Sequence, residues 1–341
     1  MSTAPQPEAG RAVSSPEEAA FVTAIIPTCG RPLLARRAIL SALGQTYRSL
    51  DVVLVIDGPD DPTRELAAAM HEPRLRVIEL KAKVGAAEAR NIGVNAATGE
   101  WMAFLDDDDE WLPQKVTEQI QTAYGSRAVY PVVSSPTIVR TGAFDWISPR
   151  ELYDSREAMS EFLFCRRRFI DGARYMQTST LLTPRRLMLD VPFRKDLARH
   201  QDWDWLLRAA AHPGVEFHMH PEALSIFNVE EGRASVGRSL DWEFSRSWAR
   251  EMRGSFTPRA YSFFLATECI SRAVKAHAGG RVYAKLILEF FSKGRATPRS
   301  LLSIASLLWI PERTRAAIKS RLRNLHPHPS SRRDAQSPQR V

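Results

Sequence analysis

The stretch that most constrains this chain is Gly99-Glu-Trp-Met-Ala-Phe-Leu-Asp-Asp-Asp-Asp-Glu-Trp-Leu-Pro113, an apolar run that ends in four consecutive carboxylates. Trp101 to Leu105 is short, apolar and bounded, which predicts a buried strand, and Pro113 predicts the start of a helix. Side chains alternate along a strand, so Asp106 and Asp108 project together at its carboxyl end while Asp107 points elsewhere. Two carboxylates held close repel unless a cation sits between them, and hard oxygen ligands suit Mg²⁺ or Mn²⁺ carrying a phosphate. Asp106-x-Asp108 therefore reads as a clamp for a metal and a diphosphate. The plain alternative is a solvated acidic turn that caps the next helix, and the rest of the chain decides against it.

A buried strand needs partners, and the sequence supplies them. Phe21 to Pro27, Asp51 to Ile56 and Arg74 to Leu80 are apolar runs. Between them, Pro32 to Leu43, Thr63 to His71 and Gly85 to Ala97 have helical spacing. Strands alternating with helices predict an α/β fold with a parallel sheet, and such sheets bind ligands at the carboxyl ends of their strands. Further on, the pattern predicts a strand over Ala128 to Ile138, a helix over Glu151 to Phe164, and a strand over Gln177 to Leu182 that leads into a helix at Pro184. A helix start follows at Arg199-His-Gln-Asp-Trp-Asp-Trp-Leu-Leu-Arg208, then late strands over Val215 to His220 and Ala223 to Phe227.

At 341 residues the chain has room for one large α/β domain and an appendage. Cys29, Cys165 and Cys269 are odd in number and lack C-x-x-C spacing, which suggests neither a disulfide framework nor a zinc ribbon and fits a reducing cytoplasm. Residues 1–20 read as a disordered leader without the pattern of a signal peptide. The longest apolar run, Leu301 to Ile310, is about half the ~20 residues of a membrane span. Charge divides the chain: residues 1–231 carry 26 Lys/Arg and 32 Asp/Glu, net −6, whereas residues 232–341 carry 21 and 7, net +14. Helices are predicted over Pro258 to His277, Arg281 to Ser292, Pro298 to Trp309 and Pro311 to Arg323. The organisation expected is a catalytic domain over 21–235, a basic helical region over 236–325 and a disordered tail over 326–341.

Taken together, these pieces resemble the family-2 glycosyltransferases over roughly residues 20–235. Ile26-Pro-Thr-x-x-Arg31 is similar to the family's opening strand and donor loop, and Asp57 falls where the family contacts base or ribose. Gly85-Ala-Ala-Glu-Ala-Arg-Asn-Ile-Gly93 is similar to its helix motif, Phe104 to Trp111 to its Asp-x-Asp metal motif, and Gln201 to Arg208 to the motif that supplies the catalytic base. The resemblance implies a GT-A fold and an inverting, metal-dependent transfer of sugar from a nucleoside-diphosphate sugar to an acceptor hydroxyl, in polysaccharide or glycolipid synthesis. It implies Asp202 as general base. Pro27, Thr28, Arg31, Asp57, Gly85, Arg90 and Asp106 would contact the donor, and Asp106 and Asp108 the metal, Mg²⁺ or Mn²⁺. Two departures stand out: Gln201 where the family usually has Glu, and Lys83-Val84 where it often has Asn-Gly.

Inverting transfer needs a base for the acceptor proton and positive charge for the departing diphosphate. Arg90 and Arg31 are suited to phosphate. Trp203 could stack on a sugar ring, whereas Trp205 is a core candidate. Asp204, two residues beyond the base, is expected to matter far less. His218-x-His220 offers a third metal ligand or a structural pair, and Arg166-Arg-Arg168 reads as a solvated face. Two rivals are a nucleotidyltransferase, which would need a Gly-rich basic loop where Pro27-Thr-Cys-Gly-Arg-Pro32 stands, and a nucleic-acid binder using the basic half, which leaves the acidic clamp unexplained. For that half the expectation is attachment to an anionic membrane on its cytoplasmic face, through Val282, Leu286, Phe290, Ile304, Leu307, Leu308 and Trp309. Arg281, Lys285, Lys293, Arg295, Arg299, Arg313, Arg315, Lys319, Arg321 and Arg323 lie around them. An ordinary helical cap is the alternative.

Overall fold

In the computed structural model, which describes residues 20–142, 144–166, 174–229, 239–310 and 314–315, the early apolar runs form β1 (Val22–Thr28), β2 (Leu50–Ile56), β3 (Leu75–Glu79) and β4 (Trp101–Phe104). Between them lie α1 (Pro32–Leu43), α2 (Asp61–Ala69) and α3 (Ala86–Ala96). The strands pair in parallel in the order β4-β1-β2-β3, with Ile25 beside Val53 and Phe104. Every residue of β1 is buried, as expected of a strand covered on both faces. Gly93 lets α3 lie close on β1, because a Cβ there would stand 2.6 Å from Ile25 Cγ2.

After β4 come β5 (Glu110–Trp111), α4 (Lys115–Tyr124), β6 (Tyr130–Ser134), β7 (Thr137–Arg140), β8 (Asp145–Ser148), α5 (Met159–Phe164), β9 (Leu182–Pro184), α6 (Arg185–Asp190), α7 (Gln201–Ala210), β10 (Val215–Met219) and β11 (Ser225–Asn228). The main sheet has seven strands in the order β10-β6-β9-β4-β1-β2-β3, and β9 runs antiparallel to both its neighbours. The parallel sheet expected from sequence is therefore mixed. A second sheet, β5-β11-β7-β8, braces the chain leaving β4.

Three predicted elements are shorter or broken. The strand expected over 128–138 divides into β6 and β7. Of the helix expected over 151–164 only α5 forms, because the Asp154 carboxylate accepts the backbone N–H of Arg156 at 3.0 Å and holds a turn in its place. Thr178–Thr180 is a 3₁₀ turn leading into β9, where a longer strand was expected.

The C-terminal part contains α8 (Trp242–Glu251), α9 (Pro258–Phe264), a π-helical segment (Leu265–Ile270), α10 (Ser271–Lys275), α11 (Gly280–Lys293) and α12 (Pro298–Trp309). These helices share one apolar core with α5 and α7. Phe164 of α5 lies 5.2 Å from Trp203, 5.1 Å from Phe264 and stacks on Phe256 at 5.0 Å, contacts each worth ~0.5–1.5 kcal/mol beyond their buried area. Apart from its last two residues, Leu308 and Trp309, which stay exposed, the apolar stripe assigned to a membrane from sequence faces this core. Leu286, Phe290 and Ile304 are buried in it, and Val282 and Leu307 pack against it. No helix among the described residues is long and apolar enough to cross a membrane. The leader through residue 19, the tail, Arg167, Arg168 and all but residues 314–315 of the helix expected over 311–323 lie outside the described residues.

Candidate active site

Beyond β4 the chain turns, and the Asp109 N–H donates to the Asp106 carbonyl at 3.0 Å. This turn ends the strand's alternation, so Asp106, Asp108 and Asp109 bring carboxylate oxygens within 4.8 Å of one another. Asp107 points away from them, accepting Thr28 Oγ1 at 2.7 Å and pairing with Arg31 at 2.7 Å. Arg37 of α1 and Asn228 of β11 both donate to the Asp108 carbonyl, at 2.7 and 3.0 Å, and fix the turn from two sides. Asp109 is buried. Its Oδ2 accepts Ser179 Oγ at 2.6 Å and Gln177 Nε2 at 3.0 Å, while its Oδ1 has no partner.

Burial dominates the electrostatics here. It pushes the Asp107 carboxyl up to about 7 against the pull of Thr28 and Arg31. It also raises Asp108, with Asp106 adding repulsion, and lifts Asp109 well above the carboxylate range, with Asp106 and Asp108 adding to the effect. Three crowded carboxylates that share Arg90 at Asp106 and Arg31 at 3.9 Å from Asp108, one of them with an orphaned buried oxygen, fit a divalent ion of the Mg²⁺ or Mn²⁺ type.

Arg90, carried by α3, is almost fully buried and reaches Asp106 at 2.5 Å and Gln201 Oε1 at 3.4 Å. Asp202 occupies the first turn of α7, where the helix dipole favours a negative charge. Thr178 Oγ1 donates to its carboxylate. Burial raises the Asp202 carboxyl, Arg90 draws it back, Asp106 raises it and the Thr178 hydroxyl lowers it. The neighbouring His200 ring stacks on Trp203 at 4.7 Å and meets Ser245 Oγ at 3.0 Å. Burial, aided by Arg199 and Arg272, drops its pKa to about 3, so at neutral pH it is an uncharged and very weak base. Asp57 is nearly buried and takes the backbone N–H groups of Val84 at 2.6 Å and Gly85 at 3.0 Å, which holds the entry to α3.

One cavity of about 1200 Å³ joins these groups. Pro27, Thr28, Arg31, Asp57, Gly85, Arg90, Asp106, Asp108 and Asp202, all singled out from sequence, line it together. A model of the family described as "Glycosyl transferase family 2" matches residues 23–189, which span β1 through the acidic turn to α6. The chain belongs to that family.

This family-2 glycosyltransferase is 28% identical over 251 residues to the amylovoran biosynthesis glycosyltransferase AmsB of Erwinia amylovora, covering 68% of this chain and 79% of that protein. It is 32% identical over 213 residues to the succinoglycan biosynthesis protein ExoO of Rhizobium meliloti, covering 60% of each. Among solved structures it resembles the mannosyltransferase PcManGT from Pyrobaculum calidifontis, in complex with GDP-Man and Mn²⁺. The TM-score is 0.51 at 19% identity, over 91% of this chain and 88% of that one, a likeness of fold. The GT-A fold and glycosyl transfer are thereby shown, in place of the nucleotidyltransferase and the non-catalytic readings.

The structure also places the other side chains of the glycosyltransferase considered from sequence. Asp204 is fully buried, where it accepts Arg208 Nε at 2.7 Å and Trp248 Nε1 at 3.1 Å, so it is a structural hub. Trp205 is wholly buried and Trp203 lines the cavity. His218 and His220 do not line it: they meet Ser126 at 2.9 Å and Glu118 at 3.5 Å on the far side of β10. The sequence reading missed Asp109, Gln177, Thr178 and Ser179. Only the fourth consecutive Asp, and the hydroxyl-rich run Thr178-Ser-Thr180, could have signalled them.

Proposed function

We propose that this enzyme transfers a sugar, with inversion at the anomeric carbon, from a nucleoside-diphosphate sugar to a hydroxyl of a saccharide or lipid-linked acceptor in cell-surface polysaccharide or glycolipid synthesis. The observation that carries the reading is that Asp202 lines the same cavity as Asp106 and Asp108, behind which the buried Asp109 completes the acidic cluster, with Arg90 between them. Asp202 takes the acceptor's proton as its oxygen attacks the anomeric carbon, and the bond from that carbon to the diphosphate breaks on the opposite face. Arg90 and Arg31 stabilise the charge left on the phosphates, and Pro27, Thr28, Asp57 and Gly85 shape the donor half of the cavity. Asp106, Asp108 and the newly found Asp109 would hold Mg²⁺ or Mn²⁺, which supplies Lewis-acid stabilisation of the leaving diphosphate when bound.

The bound GDP-Man and Mn²⁺ of PcManGT support this donor and ion chemistry, and the names of AmsB and ExoO support a place in polysaccharide assembly. On this reading residues 21–235 are the catalytic domain and 236–325 a basic helical region, and the enzyme works in the cytoplasm or at the inner face of the plasma membrane. Release of nucleoside diphosphate from a panel of nucleotide sugars tests the reading. Asp202→Asn should lower turnover by ~10²–10⁴-fold with donor binding retained. Chelation should abolish activity until Mg²⁺ or Mn²⁺ is restored. Normal turnover in Asp202→Asn, or full activity in excess chelator, would overturn it.

A further inference from the structure

The outer faces of α11 and α12 differ from the rest of the surface. Of 17 large hydrophobic side chains that stand exposed among the described residues, six lie within residues 288–309: Leu288, Phe291, Leu301, Leu302, Leu308 and Trp309, the last 81% exposed. Leu288 and Phe291 of α11 and Leu302 and Trp309 of α12 point away from the buried Leu286, Phe290 and Ile304, while Leu301 and Leu308, three before and four after Ile304, stand exposed at the edge of the core stripe. Over residues 280–310 the exposed charge is of one sign. Arg281, Lys285, Lys293, Arg295 and Arg299 are exposed and none pairs with a described acid. The segment's one acid, Glu289, is buried and satisfied by Arg246 and Arg250.

We propose that this outer face, with Leu288, Phe291, Leu301, Leu302, Leu308 and Trp309 as its apolar floor, docks on an anionic lipid surface. An exposed apolar patch of this kind marks an interaction site. Its charge selects the occupant. Protein interfaces disfavour lysine, whereas a bilayer interface rewards basic side chains over phosphate headgroups and an amphipathic Trp at the headgroup level. The position also suits the catalytic cavity. Both helices pack on the π segment Leu265–Ile270, and Glu268 of that segment lines the cavity, so one helical layer separates the docking face from the site. A lipid-linked acceptor held in the bilayer would lie near the cavity mouth. That last step rests on the proposed transfer reaction, whereas the docking does not.

Co-sedimentation of the full chain with vesicles, which reads no sugar transfer, tests the docking separately. The protein should pellet with phosphatidylcholine vesicles that contain phosphatidylglycerol and stay in solution with phosphatidylcholine alone, and the binding should weaken as salt rises. Each basic side chain near the surface is worth about fivefold in partition, so Lys285→Gln with Arg299→Gln should lower it ~25-fold. Leu302→Ser with Trp309→Ser should lower it at every phosphatidylglycerol content at which the wild type binds. As an independent measurement, brominated lipid should quench Trp fluorescence in the wild type and less in Trp309→Phe. The inference fails if the protein stays in the supernatant with anionic vesicles at low salt, or if both double variants bind as wild type does. It fails equally if Leu302→Ser with Trp309→Ser dissolves a lipid-free dimer while vesicle binding is unchanged, since a second copy would then be the occupant.

Discussion

Glu289 in the C-terminal helices and the Asp106–Asp109 turn at the end of β4 are both buried acids, and they are balanced in opposite ways. Glu289 accepts Arg246 Nε at 2.6 Å, Arg250 Nε at 2.8 Å and the Tyr261 hydroxyl at 2.7 Å. Burial pushes its carboxyl up, but hydrogen bonds from Arg250, Tyr261 and Arg246 together hold it below the usual range. In the turn, burial and mutual repulsion prevail over Arg31 and the hydroxyls, and Asp107, Asp108 and Asp109 sit above the usual range. An acid supplied with its own cations is finished structure. An acid short of positive charge is suited to receive it from outside, on the proposed reading from a metal and its nucleotide.

The largest expected effect on stability is at the balanced site. Glu289→Ala leaves the buried Arg246 and the Tyr261 hydroxyl facing a gap, while the half-exposed Arg250 turns to solvent, and should cost ~3–5 kcal/mol in denaturant unfolding, the usual consequence of removing one partner of a buried ion pair. Donor binding by the folded fraction should be unchanged. An unaltered unfolding midpoint would show that the arginines find other partners and that Glu289 is no keystone.

Lys115 is a third case, a buried cation with no carboxylate. It is fully buried beneath the acidic turn, bonded to Gln119 Oε1 at 2.6 Å and lying 4.3 Å from the Trp111 ring centre. Burial alone lowers its pKa to about 7. Below pH 7 both folded and unfolded chains carry the proton, and the cost of burying the charge is fully present. Between pH 7 and ~10.4 the unfolded chain binds a proton that the folded chain does not, so wild-type stability rises with pH. Lys115→Met should therefore be more stable than wild type by ~3–5 kcal/mol at pH 6, with the advantage shrinking towards pH 10. A gap that does not change with pH would mean that the lysine is charged in the fold and solvated by its neighbours.

At the unbalanced site the expected stability change has the opposite sign to that at Glu289. Asp109→Asn removes one of three crowded charges and keeps the contacts from Ser179 and Gln177 within reach, so the metal-free protein should gain ~1 kcal/mol. Metal-dependent activity should fall ~10–100-fold, the common cost of disturbing a metal site. A loss of stability would show that the Asp109 carboxylate is a structural acid like Glu289.

How much of this was legible in the sequence depended on periodicity. Strands buried on both faces, such as β1 and β2, announce themselves as unbroken apolar runs, and Arg90, Asp106 and Asp202 sit at motif positions, so the residues that line the cavity were readable. Asp109 was lost because alternation was extended one residue past the point where the chain turns. Thr178 and Ser179 were lost because a 3₁₀ turn lacks the period of either helix or strand. On α11 and α12 a helical stripe was recognised, but a stripe does not say whether it faces protein or lipid, and the tertiary core took Leu286, Phe290 and Ile304. The structural part played by Asp204 had no signal in the local sequence, because its partner Trp248 lies 44 residues away in the chain.

The smallest predicted effect bears most directly on how the base is tuned. Thr178 Oγ1 donates to the Asp202 carboxylate, and a donor favours the ionised form, so the hydroxyl lowers a pKa that burial has raised. Asp202 must be ionised to accept a proton, so activity should fall on acidification through its pKa, which lies above the ordinary carboxylate value. Thr178→Val removes the donor and should move the acidic limb of the rate profile up by ~1 unit, the worth of one hydrogen bond to a charged group after solvent compensation. At a pH well above both limbs, turnover should approach that of wild type. Thr178→Ser keeps the hydroxyl and should restore the limb. If Thr178→Val instead lowers turnover evenly at all pH values with the limb unmoved, Thr178 serves packing, and the group that titrates in the rate profile is not Asp202.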